Sequence, residues 1–435
     1  MKPRRVIIML ASICCLLFAS IVHSASLPTA VPEEVGLSSE RLNRIDTIVK
    51  TDIAKHKLPG AVVLVARNGK VAYFKSFGMQ DNATATPMKK DSIFRIYSMT
   101  KVVTSVAVMM LMEEGKLSLS DTVAKFIPAF KNVRVVDNIK KIEIIEKDKS
   151  GNKAKQVIEV VASTKRPLRP ITIQDLLRHT SGLTYSFSSV SAVQRMYYDS
   201  GVKQSHKLTL KAWTGKLAKM PLAFQPGERW EYSRSTDLLG RVIEVVSGMP
   251  FDKFLAKTIF KPLGMIDTGF YVKPGKHNRI AEKDINIGKP WTLPNMKAPP
   301  KFLSGGSGLV STASDYATFL QMLLNGGRLN DTRLLDRNTV EYMTRDHLGP
   351  IVKNSPGFYP GPGYGFGLGV AVRLSDGVSA MAGSIGDYYW MGMAGTSFFV
   401  NPKKNLLAII MLQEPTQGDR YINLLRSLVM QSIIN

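Results

Sequence analysis

The sequence predicts an α+β fold in which one antiparallel sheet is built from both ends of the chain and helices fill the middle. Segments typical of β-strands occur at residues 61–77 and again at residues 365–412. Between them, apolar residues recur at helical spacing in several segments. A chain of 435 residues can bury a large core, so its stability requires neither a metal nor a disulfide.

The composition is that of an ordinary globular protein, with 44% hydrophobic and 21% charged residues. It excludes a wholly disordered chain, a collagen-like fibre and a small disulfide scaffold. The 58 Lys/Arg and 34 Asp/Glu give a net charge of +24, which suits nucleic acid, an anionic membrane or an acidic cell envelope. Because no nucleic-acid-binding motif is present, we predict no nucleic-acid partner.

The N-terminus has the three-part pattern of a secretory signal peptide, predicted over residues 1–24. Lys2, Arg4 and Arg5 precede an apolar run over residues 6–22. Small residues then indicate cleavage before position 25. The protein is therefore expected to be secreted or periplasmic. An uncleaved inner-membrane anchor or a buried helix are the alternatives, because the run is only slightly shorter than a membrane span.

The mature chain, residues 25–435, is expected to form one domain. Both cysteines, Cys14 and Cys15, lie before it. The domain therefore has no disulfide, no thiol nucleophile and no thiolate metal site. Its histidines show no ligand spacing, so we predict neither a metal nor another cofactor.

The first elements of this domain are predicted to be a helix, a hairpin and a buried helix. Within residues 31–57, apolar residues at helical spacing follow a serine cap. Asn68 and Gly69 separate two β-rich runs, which is a strong hairpin signal. Residues 98–115 have few polar positions and are predicted to form a buried helix that ends at a glycine.

A basic hairpin is predicted as an insertion over about residues 131–163. Its strands are expected at residues 141–146 and 156–161, around a Lys-Ser-Gly-Asn turn. Residues 131–169 contain 11 Lys/Arg and 5 Asp/Glu, a net charge of +6. Such a charge would suit an anionic cell-envelope surface, in a contact that salt screens. A solvated, solubilising face is the alternative.

The rest of the chain is predicted to contain helices first, and then strands and a final helix. Apolar helices are predicted after a cap at Thr172, then over residues 237–247 and 314–325. The C-terminal part is expected to contain three strands and a final helix, over residues 365–372, 396–400 and 406–412 and from Tyr421.

The chemically most informative motif is Ser98-Met99-Thr100-Lys101. At a helix start, Ser98 and Lys101 share one face. A serine hydroxyl is a poor nucleophile unless a neighbour removes its proton, and a buried neutral lysine can do so. The helix N-terminus adds N–H groups where an acyl oxyanion would form. A chance match is the alternative for so short a motif.

Further segments of the sequence support a catalytic interpretation of this motif over a chance match. Together they resemble the serine β-lactamase and penicillin-binding-protein superfamily, in particular its class C β-lactamase and family VIII carboxylesterase branch. The resemblance covers about residues 30–430 and rests on seven segments in the expected order: residues 91–101, 171–183, 225–240, 262–268, 308–312, 364–369 and 390–396. It implies a β-lactamase/transpeptidase-like fold with a sheet flanked by helices and a helical subdomain.

The resemblance also implies a serine acyl-enzyme mechanism. Ser98 would attack a carbonyl and Lys101 would accept its proton. Tyr232, which matches the tyrosine of the family's Tyr-x-Asn motif, would relay a proton to the leaving group and later activate water. The backbone N–H groups of Ser98 and Met393 would form the oxyanion hole.

Two departures from the family pattern bear on substrate binding. Arg234 stands where the second motif has Asn, and a guanidinium can bind a carboxylate but cannot accept a hydrogen bond. Trp390-Met391-Gly392 stands where lactam-recognising members have Lys-Thr-Gly or His-Thr-Gly. Family VIII esterases resemble this sequence in carrying Trp-Gly-Gly. An aromatic in place of a cation favours neutral esters or amides over lactams.

We therefore expect a secreted serine hydrolase, an esterase or amidase on small neutral substrates. A β-lactamase or a D-amino-acid or peptidoglycan peptidase is the alternative on the same site, since Arg234 could replace the missing carboxylate partner. A non-catalytic envelope-binding protein is the alternative of another class.

Overall fold

The computed structural model describes residues 26–147, 153–185, 191–202, 205–288, 291–351 and 358–434. The predicted signal peptide and the predicted turn of the basic hairpin lie outside the described residues. No helix within the described part of the chain is long and apolar enough to cross a membrane.

One eight-stranded sheet combines strands from both ends of the chain. Its strands are β1 (Gly60–Arg67), β2 (Lys70–Asp81), β3 (Thr86–Pro87), β10 (Tyr364–Phe366), β11 (Ala371–Arg373), β12 (Tyr388–Met391), β13 (Ser397–Asn401) and β14 (Leu406–Met411). All its strand pairs are antiparallel, and the strand order is β10-β11-β12-β13-β14-β1-β2-β3. The predicted α+β fold is therefore confirmed.

Every residue of the central strands β1 and β14 is buried. Both faces of the sheet centre must therefore be covered, and helices from several parts of the chain do this. The main helices are α1 (Ser39–Ala54), α2 (Thr100–Glu113), α3 (Val123–Phe126), α4 (Ile173–Leu177), α5 (Ala192–Asp199), α6 (Leu210–Leu217), α7 (Ser235–Ser247), α8 (Phe251–Leu255), α9 (Ala313–Leu324), α10 (Arg337–Met343) and α11 (Gly418–Gln431). Helices α1, α9 and α11 contact these strands.

Helix α7 lies at the centre of the helical region, where it contacts α2, α3, α4, α6 and α8. The predicted cap at Thr172 is present: its side chain accepts from the backbone N–H of Asp175, and the Asp175 carboxylate accepts from the N–H of Thr172. This reciprocal pair satisfies N–H groups that a helix start leaves free. Two short strand pairs, β4 (Phe94–Arg95) with β7 (Val310–Ser311) and β8 (Arg328–Leu329) with β9 (Thr332–Arg333), join loops around these helices.

Two boundaries differ from the prediction. The single strand expected over residues 365–372 is wrong, because Gly369 has a φ of +100° and turns the chain between β10 and β11. The α-helix expected from Ser98 begins at Thr100, after a 3₁₀ turn over Tyr97–Met99. Tyr97 has a φ of +42°, which an α-helical residue does not adopt.

The structure has a hairpin where the insertion was predicted, with strands longer than expected. Strands β5 (Val135–Lys147) and β6 (Lys153–Lys165) form a separate two-stranded sheet. The paired strands contain 6 Lys/Arg and 4 Asp/Glu, a net charge of only +2 out of the +6 of residues 131–169. Most of the positive charge therefore lies at the base of the hairpin, where β6 contacts α5.

Candidate active site

Ser98 lies in the 3₁₀ turn that leads into α2, and its side chain is half-buried. The left-handed backbone at Tyr97 makes the chain leave β4 sharply before the helix begins. Ser98 thus lies just before the N-terminus of a buried 14-residue helix. The partial positive charge of such a terminus favours an anion beside it.

Lys101 lies one turn further and is completely buried. Its Nζ is 3.2 Å from Ser98 Oγ, 3.0 Å from the hydroxyl of Tyr185 and 2.8 Å from the carbonyl oxygen of Gly306. A neutral amine fits this arrangement, because it can donate to Tyr185 and Gly306 while its lone pair faces the serine hydroxyl. The site therefore has the geometry of a nucleophile beside its base.

The electrostatics of the site favour this neutral amine. Burial lowers the pKa of Lys101 to about 7, because desolvation penalises the charged form. The negative charge of Asp237 raises the pKa, and the positive charge of Arg234 lowers it. Since these two charges oppose each other, desolvation dominates.

Asp237, on α7, holds the carbonyl group that binds the lysine. Its carboxylate accepts from the backbone N–H of Gly306 at 3.0 Å and from the hydroxyl of Ser304. It also pairs with Arg234 at 3.2 Å. Asp237 therefore acts on Lys101 through the 304–306 loop rather than by direct contact.

Tyr232 covers the same lysine from another side. Lys101 Nζ lies 4.5 Å from the centre of the Tyr232 ring. The Tyr232 hydroxyl accepts from the indole N–H of Trp390 at 3.3 Å. Burial raises the pKa of Tyr232 above its usual value, although hydrogen bonds to Ser98 and Trp390 partly oppose this. The free enzyme therefore holds Tyr232 as a neutral phenol that can donate a proton.

Tyr185 is a site residue that the sequence reasoning missed. It is 84 residues from Lys101 in sequence, yet the two side chains hydrogen-bond. Its ring lies 5.3 Å from that of Tyr232. Tyr185 follows the segment 171–183, which the resemblance identified as a block of the family. Two tyrosine rings, rather than one, therefore enclose the lysine.

Arg234 and Trp390, which are predicted to bind substrate, lie beside the tyrosine rings around Lys101. The Arg234 guanidinium pairs with Asp237 and lies 5.2 Å from the Tyr185 ring centre, so its charge is already compensated. Trp390 is only 2% exposed, with its ring packed against Tyr232 and Phe366. Its indole orients Tyr232 and offers little surface to a ligand.

The end of β12 lies against the chain that precedes the nucleophile. A side chain at Gly392 would meet the carbonyl oxygen of Ile96 at 2.5 Å, so only glycine fits there. Met391 is half-buried, and the Met393 side chain is 49% exposed. Within the described residues, the N–H of Met393 donates to no carbonyl or side chain, which leaves it available to a ligand.

His179 contacts Tyr232, but its surroundings are those of a packed core side chain. It is buried, its Nδ1 lies 3.1 Å from Ser233 Oγ, and its ring centre lies 4.9 Å from that of Tyr232. Burial holds the pKa of His179 well below its usual value, so it stays neutral. The described residues contain no group of three or more side chains that could hold a metal ion.

Comparison with known proteins decides the family. Residues 45–430 match the model of the Beta-lactamase family. The chain belongs to this family. The resemblance drawn from the sequence is thereby confirmed, and the chain is a serine hydrolase.

Relatives within the Beta-lactamase family include esterases. The chain is 33% identical to an uncharacterised Mycobacterium tuberculosis protein, covering 82% of this chain and 86% of that one. It is 28% identical to esterase EstB of Burkholderia gladioli, covering 86% and 91%. Among solved structures it is similar to EstCE1, a hydrolase with promiscuous acyltransferase activity, with a TM-score of 0.73, 28% identity and coverage of 90% and 98%.

The pH dependence of turnover should report the lysine. With the neutral amine as the candidate base and a pKa of Lys101 that burial lowers to about 7, kcat/KM should fall about tenfold per pH unit below that value and level off above it. Arg234→Gln should move the inflection upward, since it removes a positive charge and leaves Asp237 unpaired. Arg241→Gln, on the same helix but paired with Glu244, is the control. An inflection that does not move in Arg234→Gln would contradict this account.

Proposed function

We propose that this protein is an esterase on small neutral substrates that works through an acyl-enzyme on Ser98. The observation that carries the proposal is the contact of Ser98 Oγ with a buried lysine whose pKa burial lowers to about 7. A charged lysine could not act as a base, and a lysine in water would be charged at neutral pH.

In the proposed first step, Lys101 takes the proton of the Ser98 hydroxyl as the oxygen attacks the ester carbonyl. The negative charge on the carbonyl oxygen is stabilised by the N–H groups of Ser98 and Met393. When the intermediate collapses, the C–O bond to the alcohol breaks, and Tyr232 donates the proton that the alkoxide needs. Lys101 then restores the phenol.

In the second step, water hydrolyses the acyl-enzyme. Tyr232 accepts the proton of the attacking water while it passes its own phenol proton to the neutral amine of Lys101. As the C–O bond to Ser98 breaks and the carboxylic acid leaves, Lys101 returns that proton to Ser98 Oγ. Both steps use the same groups, so the free enzyme is restored with no net change in protonation.

The preference for neutral substrates rests on the charges around the site. Arg234 is compensated by Asp237, so it is a poor partner for a substrate carboxylate. Trp390 stands where lactam-binding relatives have a cation. Tyr359 is 54% exposed and its ring lies 5.5 Å from that of Tyr232. This gives the site an aromatic rim that favours an apolar acyl or alkyl group.

The β-lactamase and D-amino-acid peptidase alternatives share the mechanism and differ in the substrate charge. Both substrate types carry a carboxylate, which costs free energy to desolvate unless a cation pairs with it. The pairing of Arg234 with Asp237 leaves less positive charge for such a carboxylate, which supports the esterase over both alternatives.

Substrate comparison tests this preference. We expect kcat/KM for p-nitrophenyl butyrate to exceed that for nitrocefin by at least about tenfold, or about 1.4 kcal/mol in transition-state stabilisation. Tyr359→Ala should lower kcat/KM for p-nitrophenyl butyrate more than for p-nitrophenyl acetate. Tyr359→Phe keeps the ring and should therefore show no such difference between the two esters. Faster hydrolysis of nitrocefin than of every neutral ester would contradict the preference for neutral esters and favour a β-lactamase activity.

Secretion is part of the proposal and rests on the N-terminal pattern over residues 1–24. Cell fractionation and N-terminal sequencing of the mature protein would test the expected cleavage before Ala25.

A further inference from the structure

A second binding site is suggested by a cavity at the base of the hairpin. The cavity has a volume of about 470 Å³ and lies between α5, α6 and the first residues of the hairpin. This volume is in the range of small-molecule sites. We propose that it binds a small amphiphilic anion, a carboxylate or phosphate head on a short hydrocarbon chain. The proposal does not depend on the hydrolase assignment.

The charge of the cavity selects an anion. Arg134 and Lys219 line it, and no acidic residue does. Both cations are solvent-exposed, and the salt bridges of the neighbouring hairpin join other residues, Lys155 with Glu143 and Lys165 with Asp137. The Arg134 guanidinium is held in place because its Nη2 donates to the carbonyl oxygen of Thr164 at 2.7 Å. A fixed guanidinium with further N–H groups is suited to a carboxylate or a phosphate.

Asn132 and Thr164 also line the cavity, and the rest of its lining is apolar and suits a hydrocarbon chain. Met196, Met220 and Pro221 contribute side chains without charge. Methionine is flexible and adapts to hydrocarbon chains of different shape. An inorganic anion would leave this apolar surface in water, and a neutral lipid would gain no ionic contact with the two cations. An anion with a short chain satisfies both parts of the cavity.

Methionine methyl groups allow a site-resolved test on the full mature chain. The protein is labelled at the methionine methyl carbons, and the signals of Met196 and Met220 are assigned with Met196→Leu and Met220→Leu. Octanoate and octyl phosphate are the probes for the two head groups. Titration with either should shift these two methyl signals saturably. The signals of Met391 and Met393 report binding at the hydrolase site separately.

A cavity-filling variant provides the decisive control. Gly215 lines the cavity, lies inside α6, and a Cβ there would meet nothing within 4 Å. Gly215→Leu should therefore fill the cavity without disturbing the helix, and it should raise the melting temperature because leucine favours helix over glycine. We expect this variant to abolish the octanoate shifts at Met196 and Met220.

Charge variants test the head-group contact. Arg134→Gln should weaken octanoate binding by about fivefold, the effect of losing one partly exposed ionic contact. Lys216→Gln is the control for a nearby charge, because Lys216 lies on α6 three residues before Lys219 but does not line the cavity. It should leave binding unchanged.

Three results would overturn the proposal. Shifts confined to Met391 and Met393 would assign the ligand to the hydrolase site. Shifts at Met196 and Met220 that persist in Gly215→Leu would show that the cavity is not the binding site. Equal binding of octyl glucoside, which has the same chain and no charge, would show that the cations select nothing.

Discussion

Ser98→Ala and Lys101→Ala are each expected to lower kcat/KM for p-nitrophenyl butyrate by on the order of 10³-fold or more. The first removes the proposed nucleophile. The second removes the proposed base, whose amine lies 3.2 Å from Ser98 Oγ. The kcat/KM of the double variant should be only slightly lower than that of either single variant, because the effects of residues that act as one nucleophilic unit are not additive.

Two further variants make this test specific. Lys101→Arg introduces a permanent cation that cannot release its proton at accessible pH, so its kcat/KM should be as low as that of Lys101→Ala. Ser105→Ala is the matched control, because Ser105 is buried on the same helix and its hydroxyl has no partner within the described residues. It should keep near-parental turnover.

Covalent labelling gives an independent readout of the nucleophile. A fluorophosphonate should form an adduct on Ser98 in the parent protein and in Ser105→Ala, and none in Ser98→Ala. The acyl-enzyme assignment would be abandoned if Ser98→Ala kept the parental kcat, or if the adduct formed on another serine.

Local sequence signals predicted much of the fold. The Asn68-Gly69 turn joins two strands as expected, and the apolar runs near the C-terminus are the strands that pair beside them. Such elements are specified by hydrophobic periodicity and turn residues within a few positions. The errors at Tyr97 and Gly369 have another origin. Both residues have a positive φ, which ends the regular element that hydrophobic periodicity alone predicts there.

The site was only partly predictable for a similar reason. The contact of Ser98 with Lys101 follows from their spacing on one helix turn. The contacts of Lys101 with Tyr185 and Gly306 join positions 84 and 205 residues apart, and no local pattern encodes them. Arg234 shows the same limit. The sequence gives its positive charge, but its pairing with Asp237 depends on the direction of its side chain at the start of α7.

Tyr232→Phe is expected to lower kcat by on the order of 10²-fold to 10³-fold, the usual effect of removing a general acid–base group. The reason is the position of its hydroxyl, which contacts both Ser98 and Trp390. A phenylalanine keeps the ring over Lys101 and removes only the proton that the leaving alcohol needs. The substitution therefore separates proton transfer from packing.

Tyr185→Phe should cost only about tenfold, the effect of one lost hydrogen bond to the base. Its hydroxyl contacts Lys101 at 3.0 Å. Tyr73→Phe is the control, because that hydroxyl bonds to Asp46, on α1. Steady-state kcat for p-nitrophenyl butyrate distinguishes the three variants. A larger loss in Tyr185→Phe than in Tyr232→Phe would exchange the roles of the two tyrosines, because the proton would then leave through the group that the sequence motif did not identify.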